Sequence, residues 1–384
     1  MTTIKRIHID NFKAMVDFRI AELPSLVCLI GLNGAGKTTF LQAFDFLGQL
    51  VHGSMKDWLA NRGWESSDLR SKLGNKLNIA YEVDVDLDGY GLVTWKGTYQ
   101  VAKGWSTEES VAIPSEKRIV VKTAGSKYTL DGETKEIAFD YEGSFLSRIK
   151  LVQGKHDLLI ALRNFLLSLK SMELLSPHLL RGTSRRKTGD IGLGGEHLPV
   201  FLASLDSEKK SSLVDLMRGF YPHLKDWDIR SQKYGWKSLM VNELWNDARL
   251  ATGSRHVNDG FLRLIAILAQ SMGSHQVILC DEIENGITPE LIEKLVDYLA
   301  DCGKQVIITT HSPMVLNYIP DDLARRSVYL LYRTREGIVK AMRYFDDPET
   351  SRKLDMLGPG EVFVDTPIDG IITRRIRSDS EHNA

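Results

Sequence analysis

The stretch GLNGAGKTT, residues 31–39, decides the fold. It follows the apolar run 25–30, which closes on Leu29 and Ile30, and precedes the apolar-rich FLQAF at 40–44, so it joins a predicted strand to a predicted helix. Gly31, Gly36, Lys37 and Thr38 fit the pattern G-x-x-x-x-G-K-[ST]. In such a loop the backbone N–H groups from Gly31 through Asn33, Gly34, Ala35, Gly36 and on to Thr39 cradle phosphates. The lysine neutralises them and the Thr38 hydroxyl ligates magnesium. A glycine-rich turn that precedes Lys-Thr by chance is the bland alternative. The flanking strand and helix disfavour it, so ATP or GTP binding is expected.

Working outward, Ile4, Ile7 and Ile9 are interleaved with polar residues and 16–20 alternates strictly, so the chain opens with strands. The apolar spacing turns helical over 37–50. Residues 77–140 alternate, with turn signals at Asp88-Gly89 and Asp131-Gly132, and predict an antiparallel meander. Helical spacing returns over 156–175 and 198–221, the latter ending at Pro222, with a basic, glycine-rich loop at 181–195 between them. Residues 223–250 are mixed and tryptophan-bearing, and from 253 to 310 the pattern runs loop, helix, strand, helix, strand. The expected organisation is an α/β nucleotide-binding core with an inserted lobe. Its sections are an N-terminal lobe at 1–150 with the phosphate loop and meander, a mainly helical insertion at 151–250, a segment at 251–320 completing the core, and C-terminal strands and tail at 321–384. No heptad run long enough for a coiled-coil arm is present.

Lys and Arg number 49 against 50 for Asp and Glu, so any attraction to nucleic acid has to come from local patches. Cys28, Cys280 and Cys302 are widely spaced beside apolar runs, which predicts buried thiols and a reducing cytoplasm. The N-terminus lacks a signal-peptide core, and no stretch approaches the roughly 20 apolar residues of a membrane span, so a soluble chain is expected.

The run Val277, Ile278, Leu279, Cys280 predicts a buried strand ending in Asp281-Glu282, two carboxylates at a strand's carboxyl end. Asp281 is the candidate for magnesium. Glu282, on the opposite face by strand alternation, is the candidate to polarise the attacking water. Thr288-Pro289-Glu290 predicts a helix start with a hydroxyl cap. The next strand, 305–309, puts His311 at its carboxyl end, where it could sense a γ-phosphate. Arg181, Arg185, Arg186 and Lys187 form a basic cluster suited to phosphate contact, but without interleaved aromatics a solvated loop is the stronger expectation. Arg374, Arg375 and Arg377 are equally ambiguous. LGPGEVFVDT, 357–366, predicts a tight turn and an apolar strand able to dock on the core or a partner, and nothing in the chain resembles a metal-dependent nuclease cluster.

Taken in order, GLNGAGKTT, VNDGFLRLIAILAQ, VILCDEIENGITPE and VIITTHSP resemble the nucleotide-binding domain of ABC-type ATPases, within it the RecF, OLD and SMC-like branch. The likeness is strongest to the compact prokaryotic AAA-family ATPases encoded beside nucleases in anti-phage defence systems. The opening IKRIHIDNFKAMVDF is similar to that branch's first strands, and IGLGGEHLPVFLASL followed by Tyr221-Pro222 to its inserted lobe. The resemblance implies an ABC-type P-loop fold, ATP with Mg²⁺, phosphate and magnesium roles for Lys37, Thr38 and Asp281, Glu282 as catalytic base and His311 as switch histidine. Asn258-Asp259-Gly260 would be the signature segment, which in that superfamily contacts ATP on the opposite subunit; the following 261–270 is expected to be an amphipathic helix.

The chain departs from the pattern in two places. Asn258 stands where a serine is usual, and Thr288 stands where the branch often carries histidine. Gln153 is a possible match for the Q-loop glutamine that helps hold the metal. The implied function is an ATPase whose two copies sandwich two ATP molecules and control a separate effector, a nuclease by family likeness. A RecF-like factor that closes on DNA, and a slow-turnover ATP-bound scaffold, are the alternatives.

Overall fold

A computed structural model describes the chain except residues 170, 173, 174, 186–188 and 382–384, and except the side chains of 171 and 378–381. It opens with β1 (Thr3–Asp10), the short β2 (Phe18–Ile20) and β3 (Leu26–Ile30), whose five residues are all buried. Helix α1 (Lys37–His52) starts directly from the glycine loop and stops at Gly53, whose φ of 72° lets its N–H return to the carbonyl of Gln49. Helix α2 (Met55–Arg62) follows.

The meander is β4 (Asn78–Leu87), β5 (Gly91–Gln100), β6 (Trp105–Ile113), β7 (Arg118–Ala124), β8 (Lys127–Leu130) and β9 (Glu133–Glu136). With β1 and β2 it makes an eight-stranded antiparallel sheet in the order β2-β1-β4-β5-β6-β7-β8-β9. In β4 buried and half-buried residues alternate without a break, as expected for one packed face.

The next section departs from expectation in three places. Helix α3 (Asp157–Leu167) ends well before 175, and Ser171–Met172 forms β10, a strand parallel to the later 277–280 strand. After α4 (Pro177–Leu180), the predicted helix at 198–221 is two helices, α5 (Leu198–Ser204) and α6 (Ser207–Phe220). Asp206 is the reason: its carboxylate accepts the N–H of Lys209 and starts a new helix rather than continuing the old one. The tryptophan-bearing stretch is then an antiparallel sheet of β11 (Leu224–Ser231), β12 (Lys237–Trp245) and β13 (Ala248–Gly253).

Helix α7 (Asp259–Ser271) is buried at every position from Gly260 to Ser271, packed on α4, α6 and the strand after it. It therefore lacks the solvent face that an amphipathic reading requires. The chain continues through β14 (Val277–Cys280), α8 (Pro289–Asp301), β15 (Gln305–Thr309), α9 (Pro313–Asn317), α10 (Asp321–Ser327), β16 (Val328–Arg333), β17 (Val339–Arg343), α11 (Pro348–Leu354), α12 (Pro359–Asp365) and α13 (Ile368–Glu381). The segment read as turn plus strand at 357–366 is thus helical. Pro359 occupies the first helical position, and the Glu361 carboxylate accepts the Gly358 N–H at 2.9 Å, a start signal that outweighs the apolar run. Gly360 lets α12 close on α9, since a Cβ there would lie 2.0 Å from the carbonyl oxygen of Pro313.

The central sheet runs β10-β14-β15-β3-β16-β17, parallel except for the last pair. It separates two cores. Val27, Leu29, Leu279, Ile307 and Leu331 face the side that holds α1, α3 and the meander. Leu26, Cys28, Ile278, Cys280, Ile308 and Leu330 face the side that holds α7, α8 and the C-terminal helices. Burial on both faces explains why these strands read as unbroken apolar runs. Cys28 and Cys280 are buried free thiols whose pKa burial pushes far up, while Cys302 is half-buried and free. No helix among the described residues is long and apolar enough to cross a membrane.

Candidate nucleotide-binding site

The glycine loop sits between β3 and α1 at the carboxyl edge of the central sheet. Gly31, Gly34 and Gly36 have φ of 147°, 76° and 105°, values that disfavour a side chain. Gly31 is also pressed against β16, where a Cβ would meet the Leu331 carbonyl oxygen at 2.4 Å. Asn33 and Gly34 are exposed at the crest; Ala35 and Gly36 are buried below them, and Thr38 and Thr39 are half-buried in the first turn of α1. Lys37 Nζ donates to the Gly31 carbonyl at 2.9 Å, curling back over the loop. Burial lowers its pKa below the usual lysine range, while Asp281, Glu282 and Glu284 act in the opposite direction.

Across from the loop, the Thr38 hydroxyl donates to Asp281 Oδ2 at 2.7 Å. The fully buried Thr309, at the end of the neighbouring β15, donates its hydroxyl to Asp281 Oδ1 at 2.5 Å. The same Thr309 oxygen accepts the backbone N–H of Glu282 at 2.8 Å. One threonine thus orients both carboxyl-bearing residues. Strand alternation does not place Glu282: β14 stops at Cys280, and Glu282 turns at φ 47°. Its carboxylate accepts from the Asn285 amide at 3.3 Å within the same turn.

His311 lies exposed just past β15, and its backbone N–H donates to Glu284 Oε1 at 2.8 Å. The described contact to the acidic turn is through that backbone group rather than through the imidazole. Glu284 Oε2 is buried without a described partner. Arg333, at the end of β16, donates Nε to the Gly34 carbonyl at 2.6 Å and holds the crest of the loop from 299 residues away.

Asn258 caps α7, its Oδ1 accepting the Phe261 N–H at 2.7 Å and the Tyr221 hydroxyl at 3.3 Å. Asp259 pairs with Arg181, which also donates to the Val257 carbonyl at 3.1 Å. Arg181 is thereby a structural tie and not a solvated cation. Gly260 packs on the acidic turn, where a Cβ would come within 2.9 Å of the Gly286 carbonyl oxygen. Arg263, one turn on, is buried beside Gly286; its Nε has no described partner and burial lowers its pKa. No described contact joins 258–260 to the glycine loop of the same chain.

Other sequence candidates fall outside this cluster. Gln153 is exposed in the turn before α3, and no described contact links it to Thr38 or Asp281. Thr288 occupies the cap position of α8, but its side chain makes no capping bond; only Pro289 and the Glu290 charge remain of the expected start signal. Arg186 and Lys187 lie outside the described residues. Arg374 pairs with Asp347 and Glu349. Sequence reasoning missed Thr309, Glu284 and Arg333, none of which belongs to a local pattern; the threonine pair Thr309-Thr310 ahead of His311 was the available hint.

The residues fit a magnesium nucleotide. The left-handed glycines leave a backbone-lined cradle, Lys37 stands over it, and Thr38 with Asp281 supplies one hydroxyl and one carboxylate already side by side. Mg²⁺ characteristically takes few protein ligands of this oxygen type and completes its shell with water and phosphate. Among the described residues no group of three or more His, Cys, Asp or Glu could hold an ion on its own.

Two family models match the sequence. One, described as "AAA ATPase domain", covers residues 3–156, and the other, described as "AAA domain, putative AbiEii toxin, Type IV TA system", covers residues 190–317. Among solved structures, an SMC head bound to the C-winged helix domain of ScpA aligns at 14% identity and TM-score 0.49, over 88% of this chain and 96% of that one. The Smc head domain with an extended coiled coil bound to the C-terminal domain of ScpA, from Pyrococcus furiosus, aligns at 11% identity and TM-score 0.48, over 89% and 96%. The SMC head domain from Thermotoga maritima aligns at 12% identity and TM-score 0.43, over 88% and 98%. No protein of curated function matches.

Proposed function

We propose that this chain, which matches AAA ATPase family models over 3–156 and 190–317, is a nucleotide-driven switch: two copies close around two ATP molecules, hydrolysis reopens them, and the motion controls a separate effector. The observation that carries the reading is the continuous chain Thr38–Asp281–Thr309–Glu282, which ties the phosphate loop to the acidic turn. In it the backbone N–H groups of the loop and Lys37 would bind the phosphates, and Thr38 and Asp281 would hold Mg²⁺. The metal, when bound, supplies charge neutralisation on the β- and γ-phosphates. Glu282, aimed by the Thr309 hydroxyl, accepts the proton of the attacking water, and His311 reads the γ-phosphate from the next strand end.

Dimerisation rests on the segment 258–260. It makes no described contact with its own glycine loop, and it leaves Asn258 exposed at the N-terminus of α7, a favourable place for an anion, so it suits contact with nucleotide on a second copy. The effector is proposed to be a nuclease in anti-phage defence, from family likeness and from the toxin–antitoxin wording of one matching family. Fold alone does not choose the output. The deciding experiment is Glu282→Gln: it is expected to abolish phosphate release and to accumulate an ATP-bound dimer on size exclusion. Unchanged turnover would remove Glu282 from the mechanism, and a monomer with ATP bound would remove the dimer.

A slow-turnover scaffold is the second reading. Asn258 favours it, because its carbonyl oxygen caps α7 and its remaining donor is a planar amide, which cannot copy the geometry of a serine hydroxyl. Phosphate release that stays slow with and without the effector would select it.

A further inference from the structure

The turn between β11 and β12 reads RSQKYGWK over residues 230–237, with three cations, two aromatic rings and no acid. Tyr234 is 88% exposed and Trp236 37% exposed. The turn is tight, the Gln232 N–H donating to the Trp236 carbonyl at 2.7 Å, and it holds Tyr234 at φ 60°, an uncommon conformation for a bulky residue. Both features run against ordinary surface design, in which a large ring is turned inward and a left-handed position goes to glycine or asparagine.

A second segment joins this turn. Ser184 and Lys237 form an antiparallel bridge, with N–H to carbonyl distances of 3.0 and 2.8 Å, that lays the loop 181–185 beside the start of β12. Arg185 is then 5.4 Å from the centroid of the Trp236 ring. In sequence the basic loop has no aromatics among its charges; in the fold it acquires them from a hairpin some 50 residues on. None of Arg185, Arg230, Lys233 and Lys237 forms an ion pair with a described residue, whereas Arg181 and Arg374 do.

We propose that this turn, with the loop 181–185, binds single-stranded nucleic acid. Tyr234 and Trp236 stack on bases, and Arg185, Arg230, Lys233 and Lys237 neutralise the phosphates between them. Unpaired cations interleaved with exposed rings are the combination that tracks a flexible phosphate backbone and stacks its bases. A duplex buries its base faces and could use the cations alone. An acidic protein would likewise use only the charges, leaving the Tyr234 ring without a role. The loop has a further property: its other end is Arg181, which pairs with Asp259 at the start of α7. The turn is therefore linked, through Ser184 and Arg181, to the segment proposed to meet the second nucleotide. The binding claim itself does not depend on ATP turnover and is tested without it.

The test is fluorescence anisotropy on the full chain with a labelled single-stranded DNA of about 20 nucleotides, long enough for such a site, the same sequence as RNA, and the corresponding DNA duplex, each across a salt series. The single strands should bind more tightly than the duplex, and the ratio of DNA to RNA affinity identifies the natural polymer. Tyr234→Asn removes the ring from an exposed position while keeping a residue that tolerates the left-handed backbone, and should weaken binding about tenfold, as should Trp236→Ala. Lys233→Gln and Arg230→Gln should each lower the slope of log affinity against log salt by about 0.7. The proposal is overturned if no single strand binds at low salt, if the duplex binds more tightly, or if Tyr234→Asn and Trp236→Ala both bind as the parent does.

Discussion

Replacing Thr309 by valine removes one hydroxyl and leaves the shape of the side chain. The site is fully buried, so no cavity opens and no water can take the place of the lost group. Two bonds disappear: the donation to Asp281 Oδ1 and the acceptance of the Glu282 N–H. A hydrogen bond to a charged group contributes about 1.5–3 kcal/mol and a neutral one about 1 kcal/mol, so roughly 2.5–4 kcal/mol of orienting free energy is at stake. If most of it acts in aligning Glu282, turnover should fall about 100-fold, the upper part of the range for outer partners of catalytic groups. ATP affinity should change less than about threefold, because Thr309 touches neither Lys37 nor the glycine loop. The assay is single-turnover phosphate release paired with equilibrium nucleotide binding, on protein whose melting curve is intact. Thr309→Ser, which restores the hydroxyl, should recover most of the rate. If Thr309→Val released phosphate at the parent rate while remaining folded, the idea that this threonine aims the acidic pair would be wrong.

Four further outcomes can be checked. Arg333→Gln frees the crest of the glycine loop and should raise the Kd for ATP several-fold with little change in the rate from bound nucleotide, measured by titration of a fluorescent analogue. Gly260→Ala forces a methyl group against the Gly286 carbonyl and should lower stability by about 1–3 kcal/mol in denaturant melts; an unchanged midpoint would deny the close approach. Chelating Mg²⁺ should stop phosphate release in the parent, and residual release at the parent rate would exclude Thr38 and Asp281 as its holders. Glu109 is buried within the meander core, accepting from Trp95 at 2.9 Å and from the Phe145 N–H at 2.7 Å, and burial raises its pKa above the ordinary carboxyl value. The native state thus holds this proton more tightly than the unfolded chain does. The resulting stability is complete below the ordinary carboxyl pKa and is lost as pH rises through the folded one. Glu109→Gln should flatten that fall in a pH series of melts, and an identical pH dependence in the variant would count against it.

How far the sequence spoke depends on whether each signal was local. The glycine loop, the alternating meander and the apolar strands β3, β14 and β15 were legible because pattern and burial coincide within a few residues. The split at Asp206 and the helical start at Pro359 turned on single capping groups that apolar periodicity masks. Two-residue β10 carries too little pattern to be seen, and it exists only because β14 offers an edge. At the candidate site, Asp281 and Glu282 were legible as an acidic pair at a strand end, but the reason for Glu282's position was not: a left-handed turn replaces the alternation invoked for it. Thr309 and Arg333 act across 28 and 299 residues, separations at which one sequence gives no spacing rule.

The placement of β3 has a consequence for how the molecule is made. Its two neighbours in the central sheet, β15 and β16, are translated nearly three hundred residues after it. While the ribosome is still working, the five apolar residues of β3 and the glycines behind them have no partners on either edge, and the nascent chain carries its phosphate cradle in an unassembled form. The cradle is braced only once β15 and β16 have been made, so a product terminated before them would carry the glycine loop on a strand with neither of its sheet neighbours.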